Sequence, residues 1–306
     1  MRDSFIKALT QLAAADPMVT LITGDLGFGV LTDFAKRFPN QFINAGVAEQ
    51  HMTGLACGMA LEGHKVYTYS IGNFTTLRCL EQIRNDVCYH NCDVTVVSVG
   101  GGFSYGQLGV SHFATEDLAI LRTLPNMKVV APSDPWETSI LTHQMAELNG
   151  PKYLRLDKGK AGLPEDPNSV QFGKARTIRE GKDITLIAIG AILSEALSAA
   201  TTLELEGFDP RVVVFNTAKP LDQDTILKAA RETKGIVIVE EHIKIGGLAS
   251  AIAECCMTNE VHPKAFRSIG VEDSFPTIVG DQDYLRKVYK LDAKSILEAA
   301  REILKN

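Results

Sequence analysis

Apolar residues fall along this chain in short runs bounded by turns, and the runs alternate with longer stretches whose apolar positions recur at helical spacing. In the first half the runs are VTLITGD, KVYTYS, DVTVVSVGG, MKVVAPSD and PKYLRL. Helical stretches separate them: 2–14, the segment after Asn44, TTLRCLEQIRNDVCY from Thr75, EDLAILRTL from Glu116, and DPWETSILTHQMAEL after Ser133. Ser133 is the expected N-cap of the last of these, with Pro135 close behind it. Such an alternation of strand and helix builds parallel sheets.

Between 157 and 182 the pattern lapses into DKGKAGLPEDPNSVQFGKARTIREGK, rich in Gly, Pro and charge, which predicts a linker carrying one short strand. A second series follows: ITLIAIG, a helix over LSEALSAATTLELEG, RVVVFNT, a helix over DQDTILKAARETKG, IVIVEEH, a helix opening at GGLASAIAECC, and a closing helix over AKSILEAAREILKN. The expectation is an α/β protein of two doubly wound domains, 1–160 and 181–306, joined by a linker at 161–180. Folds of this kind place ligands at the carboxyl ends of their strands. Glu240, Glu241 and His242 follow a strand and could form an interface or regulatory site, but a solvated strand end is the expectation there.

Composition narrows the class. Apolar residues make up 45% and charged residues 22%, the net charge is −6 and the pI about 5.7, so no basic field points to nucleic acid. No apolar run reaches the roughly 18 residues that span a bilayer, and the start, MRDSFIKALTQLAAADP, is an amphipathic pattern without a signal-peptide cleavage site. These features predict a cytoplasmic protein that handles small molecules and binds no membrane. The six cysteines form no disulfide framework. Cys88-Tyr-His90-Asn-Cys92 lacks a second ligand pair at zinc spacing, so no metal site is expected in this chain.

The chemistry-bearing segments fit no nucleotide motif. There is no G-x-x-x-x-G-K-[ST] loop, and GGGFSYGQLGVSHFATEDL is not a clean G-x-G-x-x-G opening a helix. That glycine-dense stretch does follow a strand, where it would let backbone approach a ligand and carry His112 at its end. A second unusual feature is NAGVAEQHMTGLACGMALEG at 44–63, where Glu49 stands near the front of a segment of small and apolar residues. A first-turn Glu favoured by the helix dipole would gain only about 0.3–1 kcal/mol.

Read in order, GDL at 24–26, GVAEQH at 46–51, the aromatic of SIGNFTTL, G-x-x-G-x-S-H at 106–112, LPNMKVVAPSD at 124–134 and VEEHIKIGGLASAIAE at 239–254 give the chain a resemblance. It resembles the C-terminal half of transketolase and of related thiamine-diphosphate enzymes over essentially all 306 residues. The resemblance implies a pyrimidine-binding domain followed by a transketolase C-terminal-like domain. It assigns Glu49 to N1′ of the cofactor's aminopyrimidine, where the acid drives the 4′-amino group toward the imino tautomer. An acid in a water-poor setting suits that task, because desolvation raises a carboxyl pKa.

By the same resemblance Phe74 stacks on the aminopyrimidine, Asp25 and Leu26 contact the cofactor with Leu26 propping its bent conformation, and His112 contacts sugar oxygens as hydrogen-bond donor or proton shuttle. Arg2 and Lys158 match basic positions that hold a substrate phosphate. The G-D-G motif and later Asn that bind diphosphate and Mg²⁺ in the family have no counterpart here. A separate N-terminal-type subunit carrying G-D-G is therefore the implied partner, in an α2β2 heterotetramer.

Three positions depart from the family's substrate channel: the usual serine reads Gly29, a histidine reads Gly100, and an aspartate reads Leu108. Losing buried polar partners costs roughly 1–3 kcal/mol each. The leading expectation is thus a two-chain transketolase moving a two-carbon ketol unit between sugars other than the common pentose phosphates, modified or unphosphorylated. The same half-site would also serve a deoxyxylulose-phosphate-synthase-like decarboxylating ligase or an oxo-acid dehydrogenase beta-type subunit. A non-catalytic scaffold subunit is the reading from a different class, against which Glu49, Phe74 and His112 stand.

Overall fold

Every residue of Val19–Thr23 is buried, as is every residue of Val94–Val99, Lys152–Leu156 and Ile184–Ile189. Strands buried on two faces need helices on two sides. That is the arrangement in the computed structural model of the protein, which describes residues 1–305. The strands are β1 Val19–Thr23, β2 Phe42–Asn44, β3 Lys65–Ile71, β4 Val94–Val99, β5 Lys128–Val130, β6 Lys152–Leu156, β7 Arg176–Arg179, β8 Ile184–Ile189, β9 Pro210–Phe215, β10 Thr217–Lys219, β11 Ile236–Ile243 and β12 Phe266–Val271. They form a seven-stranded sheet ordered β10-β5-β6-β4-β3-β1-β2 and a five-stranded sheet ordered β12-β11-β8-β9-β7. All pairings are parallel except β10 with β5 and β7 with β9.

The α/β character and the two series of elements match the sequence reading, and the differences have local causes. The run RVVVFNTAK does not end in a turn: β10 leaves the second sheet's neighbourhood and pairs antiparallel with β5 of the first. β7 is the one short strand expected within the linker stretch, and it pairs with β9. β2, β12 and the helices Thr32–Arg37 and Gln282–Val288 carry too little periodicity to be read beforehand. Of the closing helix, Ala293–Leu304 is helical, and Asn306 lies outside the described residues.

The helix expected from Thr75 is broken. A turn at Gly72–Thr75 gives way to a 3-10 turn at Leu77–Cys79, one α turn at Leu80–Gln82 and a π segment at Ile83–Cys88. Side chains compete for its carbonyls: Thr76 Oγ1 donates to Gly72 O at 2.7 Å and Cys79 Sγ to Phe74 O, which diverts the backbone from a regular ladder. The N-cap of Pro135–Ala146 is Asp134, not Ser133. Pro135 at the first helical position forces its predecessor into extended backbone, and the Ser133 N–H and hydroxyl instead donate to Glu137.

The expected solvated end at Glu240, Glu241 and His242 is overturned: all three lie inside β11 with side chains no more than 2% exposed. The first half covers them, with Ile243 N donating to Thr115 O. Beside them Arg155 of β6, also buried, donates to Asp117, to Ala114 O and to Glu241 O. Removing one partner of a buried ion pair strands the other charge and costs about 3–5 kcal/mol. Asp117→Ala should therefore destabilise the fold by about that amount in urea unfolding, while Asp117→Asn, which keeps an acceptor, should lose less.

Candidate active site

Five loops at the carboxyl ends of neighbouring parallel strands converge: 24–26 after β1, 45–48 after β2, 72–76 after β3, the glycine loop after β4, and 157–158 after β6. Glu49 opens the helix Glu49–Leu61, where the helix dipole favours a carboxylate, and is only 4% exposed. Gly24 lies against it, since a Cβ there would stand 3.2 Å from Glu49 Cγ. The glycine of GDL thus leaves room for the acid.

Glu49 Oε2 accepts a 2.9 Å hydrogen bond from Arg78 Nη1, and the same guanidinium lies 4.2 Å above the Phe74 ring. A flat, N–H-bearing group is therefore stacked on an aromatic face while donating to a buried carboxylate. A flat aminopyrimidine whose N1′ shares a proton with the carboxylate presents the same shape and edge, so Glu49 and Phe74 fit that ring. Phe74 in turn meets the His112 ring edge-on at 5.1 Å.

The glycine loop extends the site on the far side of Phe74. His112 closes a 3-10 turn at Val110–His112, with Ser111 Oγ 2.9 Å from its Nδ1. Partial burial lowers its pKa below the usual 6.5. Its ring faces that of Tyr105 at 6.4 Å, and Lys158 Nζ lies 3.8 Å over the Tyr105 ring. Burial and the neighbouring Arg2 lower the pKa of Lys158. Arg2, Asp3, Tyr105, Asp157 and Lys158 line a cavity of about 270 Å³, in which Arg2 Nε also binds Asp3 at 3.0 Å.

Asp25 has left-handed backbone, φ 55°, fixed by Asn44: Asp25 N donates to Asn44 Oδ1 and Asn44 Nδ2 to Asp25 Oδ1. Leu26 is half-buried beside it, its carbonyl accepting from Thr23 Oγ1. A chain of contacts links Glu49, through Arg78 and Phe74, to His112, Tyr105 and Lys158, with Arg2 beside Lys158 in the same cavity, while Asp25 and Leu26 stand at the neighbouring end of β1. Asn44, Arg78 and Tyr105 stand among these residues and were not expected. Tyr105 sits in the glycine loop that the sequence singled out; Asn44 has no signal beyond ending β2 beside Thr23, and Arg78 none beyond following Phe74.

Of the departing positions, Gly29 and Leu108 are exposed. Gly100 has φ +94°, and a Cβ there would come within 2.2 Å of the Tyr105 ring. Any side chain at 100 would collide with Tyr105. Among the described residues no group of three or more His, Cys, Asp or Glu is placed to hold a metal, and no helix is long and apolar enough to cross a membrane.

A buried carboxylate beside an aromatic platform at the strand ends of a doubly wound domain, followed by a second such domain, defines the pyrimidine-side half of a thiamine-diphosphate enzyme. The chain belongs to the transketolase family: residues 1–163 match the family's pyrimidine binding domain and residues 173–296 its C-terminal domain. It is 36% identical to one of the subunits of the apulose-4-phosphate transketolase of Phocaeicola vulgatus, over 99% of this chain and 97% of that one. It is 34% identical to a 6-deoxy-6-sulfo-D-fructose transketolase subunit of Clostridium sp., over 99% and 94%. A solved split gene transketolase, described as an inactive β4 tetramer, superposes with a TM-score of 0.88 at 36% identity, covering 99% of this chain and 97% of that one.

Because folding lowers the pKa of His112, the unfolded chain takes up the proton first as pH falls through 6.5, and stability falls with it. NMR titration should show the His112 ring, assigned by its loss in His112→Gln, with a midpoint below 6.5. The variant should also lose less stability between pH 7 and 5 than the parent chain.

Proposed function

We propose that this chain is one subunit of a two-chain transketolase that moves a two-carbon ketol unit from a ketose to an aldose. The observation that carries the reading is the slot between Glu49 and Phe74, filled here by the Arg78 guanidinium. Thiamine diphosphate, when bound, supplies the electron sink for breaking and forming carbon–carbon bonds beside a carbonyl. Phe74 would carry the face of its pyrimidine, Leu26 would support its bent shape, and Asp25, locked by Asn44, would line its edge.

Glu49 would share a proton with the pyrimidine N1′. Its burial keeps that exchange away from bulk water, and its fixed position at a helix start keeps the carboxylate aimed. His112, whose lowered pKa leaves it neutral near pH 7, can give or take a hydrogen bond at a sugar oxygen. Arg2 and Lys158 would receive a terminal anion at the outer end of the channel.

Diphosphate and Mg²⁺ would be held by a G-D-G-bearing partner subunit, and the pair would assemble as a cytoplasmic α2β2 heterotetramer. Within this chain we assign 1–160 to pyrimidine binding and 181–306 to the C-terminal-like domain, with 161–180 between them. The substrates are sugars outside the common pentose phosphates. Support comes from Gly29, Gly100 and Leu108, which stand where the resemblance expects polar residues, and from two relatives whose names specify apulose 4-phosphate and 6-deoxy-6-sulfo-D-fructose.

The test is co-purification with a G-D-G-bearing partner, followed by thiamine-diphosphate-dependent turnover of a panel of ketoses. Activity should need both chains and should favour modified sugars; turnover by this chain alone, or equal use of xylulose 5-phosphate and ribose 5-phosphate, contradicts the proposal. Glu49→Gln should fold and assemble yet lose at least about 10²-fold in kcat, the scale of a removed acid–base group. Near-normal turnover would withdraw Glu49 from its role.

A further inference from the structure

In a doubly wound sheet a crevice opens where successive crossovers leave neighbouring strands in opposite directions, and ligands bind there. In the second sheet this point lies between β8 and β11. The chain leaves β8 toward β9 on one side and returns to β11 on the other. The glycine loop of the first domain packs onto its carboxyl end, leaving a cavity of about 430 Å³ beside it that Gln282 and Arg286 border.

The packing is specific. Glu241, two residues beyond the last β11 residue paired with β8, accepts from Phe103 N at 2.6 Å and from Gln282 Nε2 at 2.8 Å, and its second oxygen accepts from Arg286 Nε. Gln282 Nε2 also reaches Asp157 Oδ1 at 3.1 Å and Ser104 Oγ at 3.5 Å. Gly280 N donates to Gly106 O. Gly102 is at φ +56°, and a Cβ there would stand 2.4 Å from Glu241 Oε1, so only glycine lets the loop descend onto this carboxylate.

The loop is anchored at each end. Gly102 and Ala114 exchange two backbone hydrogen bonds, closing the segment between them. Phe103 and Phe113, the first and last residues of that segment, are at most 1% exposed and pack in one apolar core with Val237, Val239, Val271 and Leu285 of the second domain. Phe113 directly follows His112, and Tyr105 lies two residues after Phe103.

We infer that the second domain is a positioning device for the reaction: its strand-end crevice, through Glu241, Gln282 and Arg286, grips the glycine loop and so sets where His112 and Tyr105 stand. This rests on the ketol-transfer reading above. Glu241 and Gln282 are positioning residues, since they reach the site only through Phe103, Ser104 and Asp157. A misplacement of about 1 Å at a reacting group can cost about 10²-fold in rate, whereas Glu49, Phe74 and Leu26 lie outside the grip.

The test uses the complex with its partner subunit, at saturating Mg²⁺ and thiamine diphosphate, in Gln282→Leu and Glu241→Gln. Gln282→Leu leaves no charge unpaired and keeps the experiment interpretable if Glu241→Gln fails to fold. We expect kcat to fall about 10- to 100-fold, the cofactor's dissociation constant to stay within about twofold of the parent value, and hydrogen exchange at 103–113 to accelerate while β8 and β11 stay protected. Exchange at 103–113 unchanged in Gln282→Leu, or a kcat within about twofold of the parent complex, overturns the inference. If the parent complex turns over no ketose, the ketol-transfer reading fails, and the exchange measurement still decides whether the grip exists.

Discussion

One buried guanidinium fixes how the two halves of this chain meet. Arg155 projects from β6 with 4% of its side chain exposed, and its Nε donates to Asp117 Oδ2 while Nη2 donates to Ala114 O and Glu241 O. A charge taken so far from water is tolerated only where its partners are fixed around it. Those partners come from three places: the end of the glycine loop, the start of the helix Asp117–Thr123, and β11 of the second domain. Tyr153, on the same strand, donates its hydroxyl to Asp117 and completes the set. The domain interface is thus a polar network inside an apolar surround, which resists sliding more strongly than packing alone would.

From that anchor the site divides by chemistry. On one side Glu49 and Phe74 make a small slot with an apolar face and one charge; on the other Arg2 and Lys158 border a polar cavity. His112 stands between, touching Phe74 with one edge of its ring and facing Tyr105 across a longer gap. A group bound in the slot and a second bound toward the cavity would meet at His112. This layout suits a neutral imidazole, because a permanent charge there would compete with Arg78 and Lys158 for the same anionic partners.

The repeated strand and helix pattern made the two-sheet fold legible, because strands buried on two faces leave continuous apolar runs that survive any reading frame. That Glu49, Phe74 and His112 lie together was legible as well, through motifs whose order matters more than any one of them. What stayed hidden depends on long-range contacts. β10 reads as the tail of β9, and only the pairing with β5 shows that it serves the first sheet. Glu241 reads as a solvated acid because nothing within several residues reveals that Phe103, 138 residues away, will cover it. The break after Thr75 was missed for a local reason: the side chains of Thr76 and Cys79 capture carbonyls that a helix would use.

The departures from the family's substrate channel take on a different meaning once Tyr105 is placed. Gly100 does not open a void where a larger polar side chain is missing, because the Tyr105 ring occupies that space and forbids any Cβ. Burial raises the Tyr105 pKa, which keeps its hydroxyl protonated, and Lys158 lies over its ring at 3.8 Å. Where the resemblance expects an imidazole, the space beside Gly100 holds a phenol with an ammonium over its face. Tyr105 borders the cavity of Arg2 and Lys158, and Glu49 does not. On the proposed function, selection among sugars and activation of the cofactor would therefore be separable in this chain, the first resting on the glycine loop and the second on the start of the helix at Glu49.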